Sequence, residues 1–577
     1  MEKIVTLINN GEWQQAQVEF EKLSLLGVEN TDEYAICGAE IYLALQDFEK
    51  AFSYIRLGLQ HNYENYELYY ILGKHYARIN CNQAALCFEM ATFYAKGSSD
   101  HNFLAQEFEN YKKENSINIS PISIVIISYN SKIITQNCIQ SIRLFNPSDS
   151  YELIVVDNAS TDGILEWLTE QDDIHLISNN HNTGFAFACN QGVEIASKGN
   201  DIFFLNNDTL VPPNAIFWLR MGLYENEKVG ATGSITNYAG NGQMVNEDIS
   251  SFDEWFDYGT KINVPMQNPY EKKLWLIGFA MLVKREVLNK VGLFDLRFGK
   301  GNFEDNDLGL RILSAGYTLH LCHNSFIVHF GSMGFRQNPS EEYNQLMTEN
   351  HQKLIDKWNQ DVLYYAHART ELIDLLSDEA NAPINVLEIG CGAGATLAKI
   401  LYRYPNASVK GVELDRKIAV LGSNYLDIRQ GNIESDDLNY EKGSFDYIIF
   451  GDVLEHLLDP DAAIQKVLPL LKSDGHIIAS IPNIQHVSVL LPLLQGKFEY
   501  KNAGILDNTH VRFFTLESIL NMMQRNSLEV DCISYTRCEE DIIEYNNELY
   551  YSLTKLLGED FEKTSKVYQY LVKAHKQ

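Results

Sequence analysis

Two apolar runs in this chain end in side chains able to hold a charged molecule. Phe203-Phe204-Leu205 leads into Asn206-Asn207-Asp208, and Val386-Leu387-Glu388-Ile389 leads into a glycine turn, Gly390-Cys391-Gly392-Ala393-Gly394. Glycines at a strand-to-helix turn let backbone approach a cofactor closely. The next run ends Gly411-Val412-Glu413-Leu414-Asp415; an acid about twenty residues past such a turn hydrogen-bonds ribose hydroxyls. A third acidic group, Phe303-Glu304-Asp305-Asn306-Asp307, offers carboxylates to take a proton from a hydroxyl. Three acids at a helix start also suit the N-terminal dipole, which is the structural alternative. One chain carrying both kinds of strand end implies two chemistries in tandem.

These residues need more than one scaffold. At 577 residues the chain is too long for a single core. It is 45% hydrophobic and 21% charged, as an ordinary globular protein is. The formal net charge of -31 argues against nucleic acid as a partner, because a polyanion would be repelled. The longest apolar runs, such as Ile122 to Ile127, are strand length, so no membrane span is expected. No basic-then-apolar leader follows Met1, and the nine cysteines contain no Cys-x-x-Cys pair. Both point to a cytoplasmic chain without a disulfide frame or zinc site.

Three regions follow from the periodicity. Residues 1–115 read as all helix, and Ala16, Ala51 and Ala85 lie about one helical-hairpin repeat apart. Gly73 with Tyr76 and Ala85 resembles the tetratricopeptide pattern; the alternative is a plain helical bundle. As a repeat, this region would offer a surface for a protein partner. Residues 116–360 alternate short β-branched strands, ending at Ser128, Asp157, Ser178 and Asn206, with helices, which predicts an α/β domain with a largely parallel sheet. Residues 361–577 begin with a helical stretch, Val362 to Leu376, and repeat the α/β rhythm at Val386–Ile389, Val409–Glu413, Tyr447–Phe450 and His476–Ser480. A helical tail is expected from about Asp541.

Four collinear segments give the middle region a family likeness: Ile124–Asn130, Val155–Gly163, Asn182–Ala186 and Leu205–Thr209. With Gly278–Val283, Val291–Asp295 and Phe303–Arg311 they resemble a family 2 glycosyltransferase with a GT-A fold, of the rhamnosyltransferase-like kind. The resemblance implies a nucleotide-sugar donor and a divalent cation, Mn or Mg, because the departing diphosphate must be neutralised. It makes Asp208 the metal ligand, in what is an Asp-x-Asp motif in many relatives; here the first position is Asn206, a neutral and weaker ligand. Asp157 would receive the base or ribose, with Ser128 and Asn130 nearby and Asn182, Gly184 and Asn207 lining the donor site. Asp305 would be the general base, with Glu304 second and Asp307 structural. His329 falls where relatives place a histidine near the metal or diphosphate. Trp255 and Trp275 are aromatic enough to stack on a sugar face, with core packing expected for at least one.

Glu388–Gly394 resembles motif I of class I S-adenosylmethionine-dependent methyltransferases. A nicotinamide site would also fit the turn alone. The later segments Gly431–Glu434, Phe445–Ile449, Asp452–Leu457, Leu471–His476 and Ser480–Asn483 match the methyltransferase order. The likeness implies that Glu388, Gly390, Gly392, Gly394, Glu413, Asn432 and Asp452 bind S-adenosylmethionine. Asn432 departs from the usual Asp, though its amide oxygen can still accept from the adenine amino group. Methylating a hydroxyl needs a base, and His456 and His510 are the candidates. The combined expectation is a bifunctional enzyme that glycosylates a glycan or glycoprotein acceptor and methylates a hydroxyl, within surface polysaccharide or flagellin glycan assembly. The other readings are a tetratricopeptide-like scaffold with one active enzyme domain, or a methyltransferase acting on a small molecule.

Overall fold

Polar caps cut the N-terminal region into helices. Thr31, Asp47, Asn65 and Asn80 each accept a backbone N–H at a helix start, satisfying donors that the helix leaves unpaired. The computed structural model describes residues 1–24, 31–331, 341–538 and 548–577. They divide into two units, Met1–Asn359 and Gln360–Gln577.

In the first unit the described helices of the N-terminal region are Glu2–Asn9, Trp13–Ser24, Asp32–Ala44, Phe48–His61, Tyr66–Tyr76, Cys81–Tyr94 and His101–Glu114. Gly73 sits where the fifth and sixth meet, and a Cβ there would lie 2.4 Å from the Phe88 ring. This region is helical, and it is bonded to the domain that follows. Asn80 donates to the carbonyls of Tyr224 and Glu225 (2.8 Å each), and Gln83 to that of Met221 (2.9 Å). Arg220, 4% exposed, pairs with Glu89. Helices and sheet share one buried apolar cluster running from Ile4 through Trp218 to Ile327; each such side chain, fully buried, stabilises by about 1.5–3 kcal/mol.

The strands of this unit are β1 Ile122–Ser128, β2 Tyr151–Asp157, β3 Ile174–Ser178, β4 Asp201–Asn206, β5 Thr209–Leu210, β6 Val229–Ile235, β7 Tyr270–Lys273, β8 Ala280–Val283, β9 Thr318–Phe326 and β10 Val328–His329. Eight form a sheet in the order β3-β2-β1-β4-β8-β6-β9-β7. The β3-β2-β1-β4 half is parallel, and β8 runs antiparallel to both its neighbours. Strand β1 is buried at every position, which is why its sequence is a continuous apolar run and not an alternation. Register pairs Ser128 with Asp157 and Ile127 with Asn206, so the polar ends share one edge. The β5–β10 ribbon pairs Thr209 with His329, which sets His329 beside Asp208 across a gap of 121 residues.

The second unit holds β11 Asn385–Ile389, β12 Ser408–Glu413, β13 Ile428–Gln430, β14 Phe445–Gly451, β15 Leu471–Pro482, β16 Leu528–Thr536 and β17 Gln569–Lys576. Their order is β13-β12-β11-β14-β15-β17-β16, parallel through β15 and antiparallel over the last two pairings. This is a Rossmann-like sheet with an antiparallel edge. Two expectations are corrected here. The tail is not helical throughout: Glu548–Leu557 and Glu559–Ser565 are helices, but β17 then inserts between β15 and β16. Its Tyr570, Leu571, Val572 and Ala574 are 3% exposed or less, and sheet pairing on both sides outweighs local helix preference. The part of the tail at 539–547 lies outside the described residues. The stretch Val362 to Leu376 is likewise no continuous helix, holding a 3-10 turn at Tyr364–Ala366 and one helical turn at Thr370–Ile373. No described helix is long and apolar enough to cross a membrane.

Candidate functional site

Each sheet gathers its polar residues at the carboxyl ends of its parallel strands, where ligands of open α/β sheets bind. In the first unit Asp157 closes β2. Its Oδ2 accepts from the Ser160 N–H (3.0 Å), while buried Oδ1 has no partner among the described residues, nor does the buried Ser128 Oγ beside it. Orphaned buried polar atoms at a strand end carry a desolvation cost that a ligand can relieve. Asn130 adopts φ 57 and ties the loops together, its N–H donating to Ser160 Oγ (2.8 Å) and its Oδ1 accepting from Thr161 N–H (3.0 Å). Asn182 Oδ1 accepts from the N–H of Gly184 (2.9 Å). Gly184 has φ +84, and a Cβ there would stand 2.7 Å from the Gly299 carbonyl, so only glycine fits.

Asp208 Oδ1 lies 3.3 Å from His329 Nε2, and Asn206 Nδ2 lies 3.4 Å from the same nitrogen. His329 Nδ1 is 2.8 Å from the Tyr238 carbonyl, which accepts its proton and leaves the Nε2 lone pair toward Asp208. The ring is held by stacking on Phe279, centroids 5.0 Å apart, and by Asn237, which bonds both backbone groups of His329. An imidazole lone pair and a carboxylate oxygen aimed at one point could hold a divalent cation. Asn207 turns away to Thr135 Oγ1 (2.9 Å).

The acidic motif opens the helix Glu304–Ser314. Asp305 Oδ2 accepts from the N–H of Gly278 and Oδ1 from that of Asn306, 2.8 Å each. With the Asn306 amide oriented to suit its neighbours, its nitrogen adds a third bond to Asp305 Oδ1 (3.0 Å), and its oxygen accepts from Trp275 Nε1 (2.9 Å). Burial raises both carboxyls. Glu304 is pushed up to about 8 by burial and by the charge of Asp305, and its buried Oε2 has no donor among the described residues. For Asp305 burial also raises the value, while the N–H groups of Gly278 and Asn306 pull it back. The N–H groups therefore favour the ionised form of Asp305, a help that the buried Oε2 of Glu304 lacks. Asp307 is a different kind of acid: it is fully buried and holds Arg311 (2.8 Å), Lys357 (2.7 Å) and the Trp358 indole (3.1 Å).

In the second unit a cavity of about 940 Å³ lies against the ends of β11, β12 and β14. Glu413 closes β12. Its Oε2 accepts from Gly392 N–H and its Oε1 from Asp415 N–H, 2.8 Å each, and burial raises its carboxyl above the usual range. Gly392 has φ +53, and a Cβ would meet the Tyr365 carbonyl at 2.5 Å. Gly390 and Gly394 also take positive φ. Glu388 is fully buried and pushed up to about 8 by burial, opposed by Thr396 and Arg369. Asp452, at φ 53, accepts from Ser480 Oγ and Gln569 Nε2 (2.8 Å each) and pairs with Arg369. Asn432 Oδ1 caps its own turn through Glu434 N–H (2.9 Å). His456 stands at the wall, its ring 4.6 Å from that of His510. Burial and His510 hold His456 below its ordinary value.

The family model for glycosyl transferase family 2 matches residues 123–292, and one for a methyltransferase domain matches residues 363–533. The chain carries a glycosyltransferase family 2 domain and a methyltransferase domain. The uncharacterized glycosyltransferase YfnE of Bacillus subtilis (strain 168) is 28% identical over 251 residues, covering 36% of this chain and 64% of that protein. Glycosyltransferase AglE of Haloferax volcanii is 26% identical over 213 residues, covering 36% and 66%. A ubiquinone biosynthesis O-methyltransferase of Neisseria meningitidis serogroup A is 27% identical over 152 residues, covering 25% and 63%. The chain spans just under two thirds of the length of these relatives.

Several partners in the two domains escape sequence reasoning. The two tryptophans named from the sequence are both buried, but their partners were not foreseen: Trp275, 6% exposed, reaches Asp305 through Asn306, and Trp255, 7% exposed, stacks on Phe326. Tyr238 and Asn237 orient His329 from a loop that no motif marks. In the methyltransferase domain Arg369 and Gln569 come from opposite ends of the domain to meet Asp452, and Gln569 belongs to the unexpected β17. Asp507 and Thr509 also line the cavity. A lone Arg or Gln carries no sequence signature of its own, so only proximity in the fold identifies it.

Proposed function

We propose that this chain is a bifunctional enzyme that transfers a sugar from a nucleotide-sugar donor and methylates a hydroxyl, both on a glycan or protein-linked glycan of a cell-surface assembly. The observation that carries it is a pair of buried carboxylates gripped by backbone N–H groups: Glu413 at the end of β12 beside the 940 Å³ cavity, and Asp305 in the first turn of the helix Glu304–Ser314. In the glycosyltransferase domain Asp305 is the base. Three N–H bonds keep it ionised while Glu304 stays neutral, so it can take the acceptor hydroxyl's proton as that oxygen attacks the anomeric carbon and inverts it. Asp157 and Ser128 receive the nucleoside with their unpaired oxygens. Asp208 and His329 fit a divalent cation, Mn or Mg, which when bound neutralises the diphosphate.

In the methyltransferase domain Glu413 keeps a lone pair on each oxygen for ribose hydroxyls, and Gly392 permits close backbone approach. These residues fit S-adenosylmethionine, which when bound supplies the methyl group. Asn432 borders the adenine, while Glu388, Asp452 and Arg369 face the remainder of the donor. His456, held neutral by its surroundings, and His510 handle the acceptor hydroxyl. Sharing one acceptor within one chain would raise its effective concentration at the second site. The helical region would engage a protein partner or protein-linked acceptor, and the chain would work in the cytoplasm. The test is binding of a radiolabelled methyl donor together with hydrolysis of a panel of nucleotide sugars. Glu413→Ala is expected to weaken methyl-donor binding and leave sugar-donor turnover unchanged. Loss of both would argue against independent sites.

A further inference from the structure

Glu455 is unexplained by this reading. It is 1% exposed, and neither carboxylate oxygen has a hydrogen-bond partner among the described residues. A carboxylate buried as an anion must be paired with a cation or ligate one. Its neighbours supply the second kind of partner. One ligand atom each from Glu455, His456 and His510 lies within 4.8 Å of the others. The placement is fixed by backbone. The N–H groups of Val511 and Arg512 both donate to the Glu455 carbonyl (3.0 Å each), clamping the 3-10 turn Leu454–His456 to the segment that carries His510.

Both rings are oriented as metal ligands usually are. His510 Nδ1 lies 2.9 Å from the Ile505 carbonyl, and His456 Nδ1 lies 3.3 Å from the Thr509 carbonyl. A carbonyl can only accept, so His510 Nδ1 carries the proton; the nearer neighbour of His456 Nδ1, Thr509 Oγ1 (3.1 Å), gives its own proton to Asp507, so that Nδ1 donates as well and each Nε2 keeps a lone pair. Thr509 is itself anchored by Asp507, which takes its N–H (2.8 Å) and its hydroxyl (2.6 Å). Two neutral imidazoles and one carboxylate are a donor set for a first-row divalent ion with positions left open. His456, Asp507 and Thr509 line the same cavity as Glu413 and Gly392, so open positions would face the acceptor.

We propose that Glu455, His456 and His510 hold a divalent transition-metal ion in the wall of the methyltransferase cavity, and that this ion seats the acceptor oxygen. The ion is distinct from that expected at Asp208 and His329. The inference rests on reading the cavity as the methyl-transfer site, and it refines the role of the two histidines from direct bases to ligands. The acceptor hydroxyl on the ion gives its proton to water. Its oxygen forms the new O–CH3 bond as the S–CH3 bond breaks, and the sulfonium leaves as a neutral thioether.

The test uses the full chain stripped with a chelator and carrying Asp208→Asn and His476→Ala. These silence the cation site of the other domain and the only other cluster of metal-ligating side chains among the described residues, His476 with Asp531 and His575. This reference chain is expected to bind one equivalent of Co2+ or Zn2+. Adding Glu455→Gln or His510→Ala should weaken that binding more than about 100-fold, beyond the roughly 10–100-fold that outer partners of a metal cost. X-ray absorption on the one-equivalent Zn2+ complex of the reference chain needs no ligand variant and should count two imidazoles. No stoichiometric ion, fewer than two imidazoles, or unchanged affinity in both variants overturns the proposal. S-adenosylhomocysteine titration separates the two claims. No binding by the wild-type chain sinks the methyl-transfer reading itself; binding without an ion at these residues sinks only the metal site.

Discussion

Glu304 makes the electrostatics of the acidic motif measurable without a substrate. Its carboxyl stands at about 8 in the fold against an ordinary 4.5, through burial and the charge of Asp305. The folded chain thus binds a proton that the unfolded chain releases between those values, so stability falls as pH rises. The contribution is fully present below about 4.5 and gone above about 8. The slope is about 1.4 kcal/mol per pH unit, or on the order of 3 kcal/mol between pH 5 and pH 7. Glu304→Gln keeps the shape and removes the titration, so its stability should vary less over that range by about this amount. Tryptophan fluorescence in urea reads it selectively, because all six tryptophans, Trp13 to Trp358, lie in the first unit. With a urea slope of about 3 kcal/mol/M, the midpoint gap between wild type and variant should change by about 1 M from pH 5 to pH 7. A constant gap would refute the raised Glu304 and, with it, the assignment of the charge to Asp305.

Asp305→Asn should lower sugar transfer about 10²–10⁴-fold and cost about 1–3 kcal/mol, since its new NH2 must face an N–H donor; methylation of a supplied glycan, followed by label transfer, should be unchanged. Arg220→Ala should cost about 3–5 kcal/mol in the tryptophan-detected transition by stranding Glu89, and Arg220→Met should cost less, because its longer apolar side chain retains packing. Gly392→Ala should lower S-adenosylhomocysteine affinity at least tenfold in calorimetric titration, because a Cβ there meets the Tyr365 carbonyl at 2.5 Å; sugar-donor hydrolysis should not change.

The strand ends were legible because they are local. β1, β2, β3 and β4 end at Ser128, Asp157, Ser178 and Asn206, where apolar runs give way to polar turn residues. The region after Val362 and the final strand were not legible. Val362 to Leu376 has helical composition but docks as short turns, and β17 is a run whose state depends on strands far away in sequence. The acids of the motif at Glu304 look alike in sequence, yet burial and partners divide them. Asp305 is held by N–H groups, Asp307 by Arg311 and Lys357, and Glu304 keeps one buried oxygen without a donor among the described residues.

Residue order alone determined that two α/β domains follow a helical region, because apolar periodicity and glycine turns act over a few residues. It also marks Asp208, Asp305, Glu413 and the glycine turn as candidate positions for the chemistry proposed. Only the tertiary structure decided which carboxylates burial raises, that His329 meets Asp208 through the β5–β10 ribbon, and that Glu455 sits unpaired beside His456 and His510. Those outcomes depend on desolvation and on contacts between distant segments, and neither is written in any local stretch of the chain.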